Sequence, residues 1–335
     1  MPLISVVVTA CNNAELLSRC LEALSRSTNQ DFELIVVDDA SKDGTVDVAR
    51  RFTDKVIAFE SHRGVNEART VGYTTARGEL IVNLDADVLV FPDTLDKIRS
   101  VFALCPEADA VTGMLSKKHP FQNFSSQYKN LYMHYIFNQL PRRVTFLYGS
   151  LFIFRREIAK EHISDIRYGG DTLFGQQLWL KGKTIYLDKS IEVEHVKHYD
   201  LRKLIRNDFD VPFYWSCIFL RYRGIRQVGK NGVGFAHASL RQLMGLSSSV
   251  MIMLLMFMEI LGMTVFPYLV ACLIIWSLLN GGFWGFLFRE KGLWFATRSI
   301  IFTFLDQIVM LSGIISGLIY FSLRQPRGNS SQKSH

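Results

Sequence analysis

Two stretches toward the C-terminal end constrain this chain more than any other feature. Residues 246–279 are apolar except for Glu259, and residues 300–323 form a second apolar run broken only by Asp306. One membrane helix needs about 20 consecutive apolar residues. Each run is long enough to cross a bilayer. The first is long enough for two passes with a tight hairpin at Gly262 and Pro267; one long, tilted or kinked helix is the alternative. Gly313 and Gly317 put two small residues one helical turn apart, a face suited to close helix packing. Glu259 and Asp306 are costly in hydrocarbon and are expected to face protein, a partner or head groups.

The segment leading into these runs mixes cations with aromatic rings. Arg202, Lys203, Arg206, Arg221, Arg223 and Arg226 alternate with Phe209, Phe213, Tyr214, Trp215, Phe219 and Tyr222. This pattern predicts a helix or helix pair lying on the bilayer surface. Formal net charge is +7, which suits anionic head groups or a polyanionic substrate. The chain has no basic-aromatic nucleic-acid motif and no finger spacing, so no nucleic-acid partner is expected. The positive charge before residue 246 predicts a cytoplasmic side there. Three passes, the favoured reading, keep Arg289, Lys291 and Arg298 inside and put Arg324 and Arg327 outside; two passes reverse this. The five cysteines are odd in number and scattered, which predicts reduced thiols. The first residues carry no charged leader, so no cleavable signal peptide is expected.

The first third follows different rules. Residues 4–9 are a β-branched run ending at Asn12 and Asn13, good helix-capping residues. Leu17, Cys20, Leu21 and Leu24 recur at helical spacing. Strands are expected at residues 32–38, 56–59 and 80–85. Between them, a helix runs through Val46, Ala49 and Phe52, and another opens at Gly64 with Val65, Ala68, Val71 and Gly72 facing inward. Such alternation predicts a mainly parallel sheet with right-handed crossovers. The strand ends then gather Thr9 and Asn12, Asp38 and Asp39, and Asp85 and Asp87 on one edge, where open α/β sheets bind ligands. Residues 80–87 run from an apolar strand straight into Asp85-Ala86-Asp87. On an extended chain both carboxylates project to one side, and hard oxygen ligands suit Mg²⁺ or Mn²⁺. There is no glycine-rich dinucleotide loop and no P-loop. A nucleoside diphosphate held through metal and carboxylates remains.

At these residues the chain resembles glycosyltransferase family 2, inverting sugar transferases of GT-A fold. The pieces are Ser5-Val-Val-Val-Thr-Ala-Cys-Asn12, Val37-Asp-Asp-Ala-Ser-Lys-Asp-Gly-Thr45, Gly64-Val-Asn-Glu-Ala-Arg-Thr70 and Leu84-Asp-Ala-Asp87. Each is weak alone; their order and spacing are jointly specific. The resemblance covers roughly the first 200 residues. It implies a nucleotide-diphosphate sugar donor, a divalent metal at Asp87, Asp85 on ribose or metal, and Asp38 or Asp39 on the base. Arg69 matches an arginine of the family, and donor phosphate contact is favoured over a solvated helix position; Thr70 stands where asparagine is usual. Asn12 serves as donor contact, helix cap or both. Asp43 is read as turn or cap chemistry.

In the middle of the chain, residues 110–114 and 147–154 are expected strands, and the aromatic and amide-rich residues 121–140 suit a helix or a lid. Gly170-Asp171 resembles the family's Glu-Asp segment, whose aspartate is the general base, with glycine in place of the glutamate. Asp171 is thus the expected base, taking a proton from an acceptor hydroxyl, over a role as helix cap alone. His195, in a region resembling the family's terminal histidine, could complete a metal shell with Asp85 and Asp87.

The resulting expectation is an α/β GT-A (Rossmann-like) catalytic domain at 1–199, an amphipathic membrane-interface segment at 200–245, transmembrane helices at 246–323 and a polar tail at 324–335. The function implied is that of a membrane-anchored inverting glycosyltransferase of cell-envelope type, with a membrane lipid, polyprenyl phosphate or lipid-linked glycan as the expected acceptor, the protein multi-pass in a bacterial-type inner membrane and the catalytic domain cytoplasmic. The alternative is a non-catalytic nucleotide-sugar-binding scaffold.

Overall fold

Seven consecutive buried residues, Ile4–Ala10, form β1, and their β-branched side chains fit a strand covered on both faces. The computed structural model describes residues 3–162, 169–222 and 236–324. It divides into two units, Met1–Asp200 and Leu201–His335.

In the first unit, β1 is followed by α1 (Ala14–Ser25), β2 (Phe32–Asp38), α2 (Thr45–Arg50), β3 (Val56–Ala58), α3 (Val65–Thr75), β4 (Leu80–Asp85), β5 (Val88–Val90), α4 (Thr94–Leu104), β6 (Ala110–Leu115), α5 (Phe124–Gln139), β7 (Leu151–Arg155), α6 (Gly170–Leu180) and β8 (Ile185–His195). The sheet order is β3-β2-β1-β4-β7-β6-β8-β5. Parallel pairing holds for β3, β2, β1 and β4. Beyond β4 the expectation of a mainly parallel sheet gives way. β7 runs antiparallel to both neighbours and β5 antiparallel to β8, so the sheet is mixed. Only Ala86 and Asp87 separate β4 from β5, yet these strands stand fourth and eighth in the order. The sheet therefore curls to bring its far edge back to the end of β4.

Helix α3 packs differently from its apolar pattern. Val65 is exposed and Val71 half-buried, while Asn66, Ala68, Arg69, Gly72 and Tyr73 face inward. Gly72 permits this: a Cβ there would lie 2.3 Å from a methyl of Val7. At the foot of the sheet, buried Glu33 accepts hydrogen bonds from Ser5, Lys55 and the N–H groups of Arg77 and Gly78. Residues 121–140, undecided from sequence, contain α5.

The second unit contains α7 (Leu201–Arg221), α8 (Leu240–Ile260), α9 (Phe266–Lys291) and α10 (Leu293–Arg324). The last three are long and apolar enough to cross a membrane. The hairpin between α8 and α9 carries Gly262 at φ 82° and places Pro267 in the first turn of α9. Glu259 accepts the Val265 N–H at 3.0 Å, so it braces this turn. The small-residue face of α10 meets α7: a Cβ on Gly313 would lie 2.4 Å from the Phe209 carbonyl oxygen, and one on Gly317 2.3 Å from that of Phe213. The aromatic, basic segment is thus packed along α10 over these residues. Arg223, Arg226 and the tail at 325–335 lie outside the described residues.

Between the apolar helices, Gln307 of α10 accepts from Ser249 of α8 at 2.6 Å and from the Trp276 indole of α9 at 2.7 Å. Its amide donates to Asn280 of α9 at 2.8 Å. One buried side chain therefore ties three helices together, a pattern no local periodicity announces.

Candidate active site

Strand register assembles the crevice. Thr9 stands opposite Val37 on one side and Asp85 on the other, and Ala10 stands opposite Asp38. The carboxyl ends of β2, β1 and β4 thus bring Asp38, Thr9 and Asp85 to one edge. Asp38 is buried. Its Oδ2 accepts the Ser41 N–H at 2.9 Å, while its Oδ1 has no partner. Burying an unsatisfied carboxylate oxygen is costly, so Oδ1 marks where a ligand donor would be welcome.

Asp39 is engaged differently. Its oxygens accept the N–H groups of Arg63 at 2.7 Å and Gly64 at 2.9 Å, which anchors the loop entering α3. Asn12 adopts a left-handed backbone with φ 50°. Its side-chain oxygen accepts the Lys42 N–H and its own N–H donates to Ser41, both at 2.8 Å. Asn12 therefore shapes the loop after β2, and the position preceding α1 belongs to Asn13, whose side chain caps nothing. Asp43 supplies the cap instead, accepting from Ala14 at 3.2 Å and Thr45 at 3.0 Å.

Asp85 and Asp87 part company. β4 ends at Asp85 and Asp87 lies in the following turn, so strand alternation does not govern the pair. Arg69, whose side chain is only 7% exposed, donates to Asp85 at 2.7 Å. It is no solvated helix residue; its Nε is buried without a partner. Burial raises the Asp85 carboxyl, Arg69 offsets part of that, and Asp87 raises it further. Asp87 instead meets His195, with Oδ2 to Nε2 at 3.3 Å. Burial works against its ionised form, but His195 and Lys197 outweigh it and the carboxyl is lowered. This meeting follows from β5 pairing with β8, where Val88 stands opposite His195, and from the Val196 N–H donating to the Asp87 carbonyl at 2.8 Å.

Asp171 sits just inside α6. The residue preceding that helix is Gly169, with φ 72°, and no side chain caps it. The carboxylate reaches away from the helix: Oδ2 accepts the Gly149 N–H at 2.7 Å. The reading of Asp171 as a helix cap therefore fails. Gly149 was not singled out from the sequence, yet three groups converge on it. Its carbonyl accepts from Asn83 at 2.7 Å and from Arg69 at 3.4 Å, and Asn83 in turn accepts from the Tyr73 hydroxyl at 2.8 Å. A Cβ on Gly149 would lie 2.8 Å from Asp171 Oδ2. The glycine at 170 also has a reason, because a Cβ there would lie 2.3 Å from Asn66 Oδ1. Thr70 bonds His162 Nδ1 at 2.9 Å. Burial and Arg69 hold that imidazole down at about 3, so it is a neutral packing partner.

The metal-ligating groups fall into two places. Asp87 and His195 offer one carboxylate and one imidazole, a donor pair that fits Mn²⁺ or Mg²⁺. Asp85, committed to Arg69, does not close a compact triad with them. Among the described residues the group whose three ligand atoms all lie within 4.8 Å of one another is Cys11, Asp39 and His62. Burial and the carboxylates of Asp39, Asp38 and Asp43 raise the Cys11 thiol, and sulfur is a poor ligand for Mg²⁺ or Mn²⁺.

Comparison with known proteins agrees with this architecture. The model for glycosyl transferase family 2 matches residues 5–163. An uncharacterised glycosyltransferase of Haemophilus influenzae is 31% identical over 110 residues, 32% of this chain and 37% of that protein. The validoxylamine A glucosyltransferase of Streptomyces hygroscopicus subsp. jinggangensis is 37% identical over 120 residues, 34% of this chain and 28% of that protein. The chain thus matches about a third of the length of these curated relatives. A mannosyltransferase of Pyrobaculum calidifontis, solved with GDP-Man and Mn²⁺, superposes with a TM-score of 0.58 at 18% identity over 97% of this chain and 88% of that one. With its curled, mixed α/β sheet of GT-A type, the first unit has the fold of the family 2 glycosyl transferases, matched over residues 5–163.

Proposed function

We propose that this protein is a membrane-anchored inverting glycosyltransferase. It moves a sugar from a nucleotide-diphosphate sugar to an acceptor held at the membrane, a lipid, polyprenyl phosphate or lipid-linked glycan. The observation that carries the reading is the crevice edge itself, where Asp38, the Arg69–Asp85 pair, Asp171 and the Asp87–His195 pair gather around the ends of β2, β1 and β4. The orphaned Asp38 Oδ1 is suited to accept an N–H from a nucleobase. Thr9, Asn12 and Asp39 shape the wall beside it. Arg69 holds Asp85 in place and adds positive charge where a diphosphate would leave.

Asp87 and His195 would hold the divalent cation; when bound, it neutralises charge developing on the leaving diphosphate. The Mn²⁺ and nucleotide sugar found with the Pyrobaculum protein are of the class this donor set suits. Asp171 has one oxygen fixed by the Gly149 N–H. Its other oxygen would take the proton of an acceptor hydroxyl as the hydroxyl oxygen attacks the anomeric carbon. A single displacement of this kind inverts the anomeric centre. The three apolar helices support a membrane acceptor, because they confine enzyme and lipid to one surface.

The test is Asp171→Asn in the full chain, in membranes supplied with labelled nucleotide sugars. Lipid-extractable product should fall by roughly 10²–10⁴-fold while UDP or GDP affinity is retained. Undiminished transfer removes Asp171 as the base.

A further inference from the structure

One cluster of side chains, which shares only Asp39 with the wall of the donor crevice, has the makings of a second site. Cys11 follows β1, Asp39 follows β2, and His62 lies in the loop before α3. Register brings the first two together, since Ala10 stands opposite Asp38. The Asp39 backbone carbonyl accepts from the Cys11 thiol at 3.2 Å. His62 Nδ1 lies 2.9 Å from Asp39 Oδ2 and 3.9 Å from Cys11 Sγ. All three ligand atoms lie within 4.8 Å of one another.

The geometry points to a Zn²⁺ site formed by Cys11 Sγ, Asp39 Oδ2 and His62 Nδ1, separate from the Asp87–His195 pair. Zinc takes thiolate, imidazole and carboxylate ligands at about 2.3, 2.05 and 2.0 Å in a tetrahedron. Such a tetrahedron has an N···O edge of about 3.3 Å and an S···N edge of about 3.6 Å. The observed 2.9 and 3.9 Å each differ from those edges by about 0.4 Å or less, within reach of a side-chain adjustment. The two loop N–H groups on the Asp39 carboxylate act as orienting partners for a ligand oxygen. The Asp39 side chain is 4% exposed and that of His62 70%, so the floor is buried and the mouth open to an entering ion. Three protein ligands leave a fourth position for water. The thiolate selects zinc over Mg²⁺ and Mn²⁺.

The experiment uses the full chain in detergent, reduced and stripped of metal, in an Asp87→Ala background so that the other donor pair is disabled. Zn²⁺ is titrated against a chromophoric chelator. One equivalent should bind, and that equivalent should disappear in Cys11→Ser/His62→Ala. Co²⁺ in place of Zn²⁺ should give a thiolate charge-transfer band that Cys11→Ser alone removes. If the parent binds no more Zn²⁺ than the double variant, or Co²⁺ gives no such band, the site is refuted. Both readouts are independent of sugar transfer, so this result leaves the glycosyltransferase reading to its own test.

Discussion

Two clusters, one in each unit, handle buried polar groups in opposite ways. At the crevice of the first unit they converge from distant segments and some are left wanting: Asp38 Oδ1 and Arg69 Nε have no partner. Between the helices of the second unit, Gln307 uses both ends of its amide on Ser249, Trp276 and Asn280. The cause is the surroundings. A crevice open to water and ligand can complete an unsatisfied group later. A polar group between apolar helices has only its neighbours, and an unmet hydrogen bond there costs several kcal/mol, roughly. At the crevice edge the unsatisfied atoms point to a binding site, and the fully used Gln307 amide to structural glue.

The largest expected effect tests the open side of this contrast. Asp87→Ala should lower transfer by roughly 10³-fold, and a chelator should depress the parent enzyme but not the variant further. Equal chelator sensitivity in both would move the metal away from Asp87. Next comes Gly149→Ala. Its methyl would meet Asp171 Oδ2 at 2.8 Å, and a carboxylate pushed aside by about 1 Å costs about 10²-fold. kcat should fall while nucleotide affinity and thermal stability stay near those of the parent.

On the closed side, Gln307→Leu strands the Trp276 indole N–H and the Asn280 side-chain oxygen and should cost about 1–3 kcal/mol. Thermal unfolding in detergent measures this, with nucleotide affinity unchanged; a neutral result would deny the amide its role as glue. Glu33 comes last because its effect is confined to acid. Burial would raise its carboxyl, but hydrogen bonds from Lys55, Ser5 and the Arg77 N–H prevail and lower it from 4.5 to about 2. As pH falls, the unfolded chain takes up this proton first. The stabilisation is therefore whole above about pH 4.5 and drains away toward pH 2, at no more than about 1.4 kcal/mol per pH unit. Denaturant unfolding of the parent and Glu33→Gln at pH 6, 4 and 3 should show a steeper acid loss in the parent.

Much of the first unit was legible in its residues. The β-branched runs gave away β1, β2 and β4 because a strand's side-chain pattern is local. The acidic strand ends stood out because carboxylates are unusual straight after apolar runs, whereas Arg69 and Asp171 stood out through the resemblance to family 2. Most partners of these groups were not legible. His195 was expected near Asp87 from the family resemblance alone, and the pairing of β5 with β8 is what brings the two together. Gly149 matters only because Asn83, Arg69 and Asp171 converge on it from separate elements. The small-residue face at Gly313 and Gly317 was recognisable, but its partner α7 was not.

What the sequence determined alone was composition-driven: a strand–helix unit with acidic strand ends, then helices apolar enough for a bilayer. Hydrophobic periodicity is written every two or four residues and needs no knowledge of distant segments. What the tertiary structure decided was pairing: a mixed, curled sheet, Asp85 given to Arg69 and Asp87 to His195, and Cys11 set beside Asp39 and His62. Such contacts depend on which remote chain segments the closing core brings within hydrogen-bond distance, and no local pattern encodes that choice.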